Sequence, residues 1–239
     1  MIHAQHAPVV TVGSLAGCTS AVEFGLSVES KEVPCFGMVP YVEQVPGLKS
    51  AEVKVSAWQD FASGATAERL RALSGAAEVV QVAQDRGAVG SLAWFTAGPL
   101  LARPFISGKV GELAGVELMV SGNGMAAAEG LVTIGPDVPV TATMSGVGQQ
   151  VGAVAAGGVA YGALSVLTMT AGATVTVALQ SAASLGGAYT TRATSAALTA
   201  AGAVLLSSVA VTPHQWWRLT VTVTGTTPSL VMLGSVAVG

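Results

Sequence analysis

Charge is scarce in this chain. Only 10% of its 239 residues are Asp, Glu, Lys or Arg, against about 25% in an ordinary globular domain. The scarcity is uneven. All 13 acidic residues lie at or before Asp137, and so do eight of the 10 basic ones. The last 102 residues keep two charges, Arg192 and Arg218. The net charge is therefore −5 for residues 1–137 and +2 for residues 138–239. Neither value fits a basic nucleic-acid binder of the usual kind. Cysteine is nearly missing too. Cys18 and Cys35 are the only two, too few for a disulfide framework, and buried free thiols are expected.

Histidine is limited to His3, His6 and His214. No cysteine or acid joins them at ligand spacing, so no metal site is expected. His214 has no acid near it in sequence, and no Gly-x-Ser-x-Gly elbow occurs, so a Ser-His-Asp hydrolase is not indicated. Gly13–Gly17 lacks the Lys-Ser/Thr ending of a phosphate loop, and Gly146-x-Gly148 and Gly157-Gly158 open no helix. The scattered acids Asp60, Glu68, Asp85 and Glu112 read as solvated side chains rather than a catalytic pair. The chain is read as no enzyme, and no cofactor is implied.

Leu15-Ala16-Gly17-Cys18 looks like a lipoprotein cleavage box. A secretory signal also needs a positive start and a solid apolar core. Here the first basic residue is Lys31, and Pro8, Thr11, Gly13 and Ser14 interrupt the core. Ala153–Leu179 is apolar enough to suggest a membrane span. It carries Gly157, Gly158, Gly162 and Gly172, many Thr and Ser, and no flanking Lys or Arg, so no span is expected.

What the chain does have is strand periodicity. Ala51, Val53, Val55 and Ala57 alternate with Glu52, Lys54, Ser56 and Trp58. Val22, Phe24 and Leu26 alternate with Glu23, Gly25 and Ser27. Further strands are predicted near Val79–Ala83, Gly90–Thr96, Glu112–Ser121 and Leu131–Ile134. Asn123-Gly124 is a turn signal. In the second part, Val175, Val177 and Leu179 alternate with Thr174, Thr176, Ala178 and Gln180. Trp217, Leu219, Val221 and Val223 alternate with Arg218, Thr220, Thr222 and Thr224. Trp217 thus falls on the apolar face and Trp216 on the other. One helix is predicted over Thr66–Ser74, capped by Thr66 and ended by Gly75. Pro34–Pro46 reads as a long loop.

The fold class expected is mainly β: an N-terminal β-sandwich or barrel with one covering helix, then a C-terminal antiparallel, jelly-roll-like sandwich with a Thr-rich outer face. The boundaries expected are residues 1–135, a linker at 136–141, and residues 142–239.

Phe36-Gly37, followed by Pro46-Gly47-Leu48-Lys49-Ser50-Ala51 and a strand ending in Trp58-Gln59-Asp60, resembles tail tube (major tail) proteins of long, flexible-tailed bacteriophages. The helix at Thr66–Ser74, the run Val110-Gly111-Glu112-Leu113 and the closing Glu129-Gly130-Leu131-Val132 fall where that family places such pieces. The resemblance covers roughly residues 20–135. Gly157-Gly158-Val159-Ala160-Tyr161, Val175–Ser181 and Trp216-Trp217-Arg218-Leu219 are similar to a β-sandwich domain often appended to such proteins. Family versions carry a polar, aromatic loop after the Gln-Ser strand; here Tyr189 stands in an Ala/Thr-rich setting.

The resemblance implies a structural virion subunit, assembled in the host cytoplasm. Its copies would form hexameric rings that stack into a tail tube. DNA would pass through an acidic bore without specific binding. Implied partners are other copies of the chain and tail proteins such as the tape measure and the tail terminator. The tail-tube domain would occupy residues 1–135 and the sandwich would decorate the outside. Phe36, Tyr41, Pro46 and Leu48 would reach between rings. Two other readings remain open. One is a carbohydrate-binding adhesin using Tyr189 and Trp216. The other is a different structural virion protein, a capsid decoration or tail completion protein.

Overall fold

The computed structural model describes residues 9–12, 15–16, 19–34, 42–58, 72–105, 115–121 and 128–239. Among them the chain is almost entirely antiparallel β. The strands are β1 (Val9–Val12), β2 (Leu15–Ala16), β3 (Thr19–Pro34), β4 (Val42–Trp58), β5 (Ala77–Ala83), β6 (Leu92–Phe105), β7 (Gly115–Ser121), β8 (Ala128–Ile134), β9 (Met144–Ser145) and β10 (Gln149–Gln150). They continue with β11 (Ala160–Met169), β12 (Thr174–Ala182), β13 (Thr190–Thr194), β14 (Gly202–Ser208), β15 (Trp216–Thr224) and β16 (Leu230–Val238). Most of the helix predicted at Thr66–Ser74 lies outside the described residues. Its end is seen: Ala72 and Leu73 are helical, and Gly75 has φ +89°, the left-handed conformation that glycine favours at a helix stop. Asn123-Gly124, Cys18, Cys35, His3 and His6 also lie outside.

The chain divides into two compact units. Unit 1 comprises Met1–Thr19, Glu78–Phe95 and Ala128–Gly239; unit 2 comprises Ser20–Ala77 and Thr96–Ala127. This differs from a sequential split at residues 136–141. The strand before that segment, β8, pairs with the last strand, β16, from Gly130↔Ala237 to Ile134↔Gly234. Within the segment, Val140 bridges Leu230. Charge follows the units. Unit 2 holds nine acidic and seven basic residues, while unit 1, the larger, holds four and three.

Unit 1 is a sandwich. Its first sheet runs β14-β11-β16-β8-β6-β5-β1-β2, and its second runs β10-β15-β12-β13 with β9 also on β15. Between them Leu164, Val166, Met232 and Val236 meet Val175, Val177, Leu179, Trp217, Leu219 and Val221. The predicted alternation holds: β12 and β15 bury every second residue and turn Thr174, Thr176, Thr220 and Thr222 outward. Trp217 is fully buried and its Nε1 donates to the Gly152 carbonyl at 2.8 Å, while Trp216 is half-buried.

The first sheet also curls back on itself. Thr11 on β1 and Gln81 on β5 both bond the Ser165 hydroxyl on β11, at 3.0 and 2.7 Å. Ala83, Ala93, Val132 and Leu233 pack in the same layer. β11 and β16 are therefore covered on both faces. No charge is tolerated on either side of such strands, which explains why Ala160–Met169 and Leu230–Val238 carry none. The segment once readable as a membrane span, Ala153–Leu179, forms β11 and most of β12. Among the described residues no helix is long and apolar enough to cross a membrane.

In unit 2 the ladder is β3-β4-β7-β6. Val53, Val120 and Leu100 lie side by side across β4, β7 and β6 and are buried, while Lys54 is half-buried, as the alternation predicts. The loop expected at Pro34–Pro46 is shorter: β3 extends through Pro34, and β4 begins at Val42. Pro46 is accommodated because β7 pairs with β4 only from Glu52 onward, so nothing on that side needs its missing N–H.

Three outcomes test this account. Trp217→Ala is expected to lose about 3–5 kcal/mol of stability, and Trp216→Ala well under half of that, read by urea unfolding. Gly130→Ala should be severely destabilising, because a Cβ there collides with the Val236 carbonyl of the neighbouring strand. Burial raises the carboxyl pKa of Glu78 above its ordinary 4.5. Its unfolded form then ionises first, so stability is fullest below that value and falls as pH rises through the raised folded pKa. Glu78→Gln should flatten that fall in urea midpoints taken across the acid range.

Candidate functional site

The two charges of the last 102 residues both sit at one end of the second sheet. β12 pairs with β15 so that Gln180 lies opposite Arg218 and Ala182 opposite Trp216. On the outer face, Arg218 Nε donates to Gln180 Oε1 at 3.0 Å, and the Thr220 hydroxyl donates to the same oxygen at 2.9 Å. Gln180 Nε2 donates in turn to Thr191 Oγ1 at 3.2 Å. The Arg218 guanidinium lies over the Tyr189 ring, 3.9 Å from its centroid. The Tyr189 hydroxyl donates to the Leu185 carbonyl at 3.3 Å. Gly148 allows this placement, since a Cβ there would strike the Tyr189 hydroxyl. Trp216 lies on the same face as Arg218, two residues earlier on β15.

Arg192 points elsewhere. The register of β12 with β13 shifts between Leu179 and Gln180, from Ala193 to Thr191, leaving Arg192 as the extra residue of a bulge. A bulge re-aims the side chain it carries. Arg192 Nε donates to the buried Ser181 hydroxyl at 2.8 Å, and its Nη2 donates to Thr212 Oγ1 at 3.1 Å. The same Nη2 lies 3.2 Å from His214 Nδ1, which is 3.0 Å from Ser181 Oγ. A guanidinium can only donate, so Nδ1 accepts and the ring proton sits on Nε2. Ser181 and His214 thus touch, yet this is not a nucleophile and its base. Ser181 is fully buried and accepts from Arg192, and residues 138–239 contain no acid to orient the imidazole.

The expected site residues are therefore placed as follows. Tyr189 and Trp216 both fall on the outer face of the second sheet, Tyr189 under Arg218 and Trp216 two residues before Arg218 on β15. One face of Tyr189 is already covered by Arg218, which removes that face as a platform for a sugar ring. Pro46 and Leu48 are strand residues of β4 rather than loop residues. Phe36 and Tyr41 lie outside the described residues. Sequence reasoning assigned no role to Gln180 or Ser181, singled out Arg192 only as a rare charge, and set His214 aside for want of a nearby acid. The signal for two of the anchors was present: Arg192 and Arg218 are the only charges after Asp137, and each organises a cluster of neutral acceptors.

No family model matches the chain, and no curated protein matches it. Among solved structures it is similar to a chain of the virion of a native gene transfer agent particle, at 17% identity over 50% of this chain and 94% of the other, TM-score 0.37. It is also similar to the sheath/tube terminator of an extracellular contractile injection system, at 10% identity over 54% and 95%, TM-score 0.40. A third likeness is to the Dit protein of phage SPP1, described as a hub adsorption apparatus, at 10% identity over 98% and 99%, TM-score 0.31. With TM-scores under 0.5, these likenesses leave function to the residues themselves.

Arg218→Ala removes the stacking on Tyr189, worth about 0.5–1 kcal/mol at a partly exposed site. The expected result is faster chymotryptic cleavage at Tyr189 with little change in melting temperature. Unchanged cleavage would mean that the stack does not hold the 183–189 loop.

Proposed function

We propose that this chain is a structural subunit of a virion tail, polymerising as stacked hexameric rings into the tube through which DNA leaves. The observation that carries the reading is the β3–β4 hairpin of unit 2. β4 has 17 residues, a span of about 55 Å at the usual rise per residue. Its register with β7 covers only Glu52–Trp58. Among the described pairings, the rest of β4 has β3 alone as a partner. A two-stranded ribbon is marginally stable in water and its edges invite further pairing. Such a ribbon suits a subunit that neighbours complete. It also contains the Pro46–Ala51 run that carries the sequence resemblance.

Charge supports the same division. Unit 2, with nine of the 13 acids and a net charge of −2, would build the tube and its bore, where a negative wall keeps DNA moving. Unit 1, nearly uncharged, would lie outside. Pro46 and Leu48 on the ribbon, with Phe36 and Tyr41, are the residues assigned to contacts between rings. Tape-measure and terminator proteins are the further partners.

Negative-stain microscopy of the purified full chain is expected to show tubes of stacked rings. Leu48→Asp should shorten or abolish them while the circular dichroism and melting temperature stay close to those of the parent chain. In the virion the chain should rank among the most abundant bands, which separates it from a tail completion protein. A chain that stays monomeric at high concentration and is absent from the tail would overturn the reading.

A further inference from the structure

Unit 1 carries exposed apolar side chains. Among the described residues seven large ones stand out, and five of them form two patches. Val89, Val138 and Val147, exposed by 46, 70 and 53%, rim an open groove of 490 Å³. Ile134, Val140 and Met144 form part of its wall, and Asp137 is its single charge. Val209 and Val211, exposed by 72 and 65%, stand on the loop after β14. Scattered exposed valines are ordinary; an apolar groove and an apolar loop on one charge-poor body are not.

The two patches lie at opposite ends of the sandwich. At the groove, Val140 bridges Leu230, the first residue of β16. At the loop, Ser208 pairs with Ala160, which pairs with Val238, the last residue of β16. The groove also reaches Ile134, which pairs with Gly234, so the separation narrows to about 13 Å along β16, with three strand spacings from β8 to β14 across the sheet, and no copy fills its own groove with its own loop. Charge is complementary as well. Arg192, held to Thr212 beside Val211, bonds only neutral groups among its described partners, and Asp137 adjoins Val138 in the groove.

We propose that the groove receives the Val209–Val211 loop of a second copy of this chain, with Arg192 of one copy facing Asp137 of the next. The contact is head-to-tail, so it leaves a free loop and a free groove at the ends and propagates into a ring or a row. It joins the sandwich units, and it stands or falls independently of the tube reading, which rests on unit 2.

The test uses two single-cysteine proteins, Val138→Cys and Val211→Cys, each with Cys18→Ser and Cys35→Ser. One carries a tag that shifts its size. Both new cysteines occupy exposed positions, so folding should be unaffected, and melting temperatures verify this. Mild oxidation of the mixture should give the mixed disulfide, while each protein alone gives little. Val209→Asp in the loop partner should abolish it, and Asp137→Arg in the groove partner should lower its yield by about two- to five-fold. No mixed disulfide, or equal self-linking by the Val138→Cys protein alone, overturns the proposal. Tubes seen without the mixed disulfide would leave the tube reading standing and remove this contact; the mixed disulfide without tubes would do the reverse.

Discussion

Unit 1 is organised by the burial of β11 and β16 on both faces. One face meets the second sheet through Leu164, Val166, Met232 and Val236. The other meets β1 and β5 through Ser165 and Leu233. A strand with no exposed face cannot carry charge, and its neighbours on either side must be small or apolar to fit. From this follow the absence of charge in Ala160–Met169 and Leu230–Val238 and the approach of Gly130 to β16. It also requires the chain to return to the same sheet from distant points in sequence. β1, β5 and β8 come from the first 134 residues, and β11, β14 and β16 from the last 80.

That return is why the compositional break at Asp137 was half legible. The break is real, but it is not where one folding unit stops. Glu78–Phe95 and Ala128–Gly135 sit on the charged side of the break in sequence and on the charge-poor body in space. The two segments of unit 2 carry most of the charge, nine acids and seven bases.

Local periodicity was readable wherever one face is exposed. β12 and β15 alternate, and the inward place of Trp217 follows from its register with Leu219 and Val221. Length was less readable. Pro34 and Pro46 look like breakers, yet both lie in strands, because proline is harmless where no N–H is required. The polar clusters were least readable. Arg192 reaches Ser181 and His214 because β13 slips by one residue against β12, and in a strand as short as Thr190–Thr194 such a bulge leaves no trace in the alternation. Only the rarity of Arg192 and Arg218 marked them.

The Thr11–Gln81–Ser165 trio adds the last constraint. A layer of valines and alanines alone would let β1 and β5 slide over β11, since apolar contact has little directional preference. A side-chain amide and two hydroxyls, all fully buried, bond one another through Gln81 Nε2 and the Ser165 hydroxyl in few alignments, although Gln81 Oε1 has no partner. Moving any of these strands by one residue would turn its polar group to the other face and leave its partners buried without hydrogen bonds. The register of the curled sheet is therefore set by three small polar residues, and the apolar layer around them supplies the burial. The same logic separates the two kinds of surface on unit 1. Outside, threonine rows and paired arginines keep the second sheet wet and uncommitted. Where polar groups give way to exposed valines, at the Val138 groove and the Val211 loop, hydrophobic burial favours covering the surface by another chain.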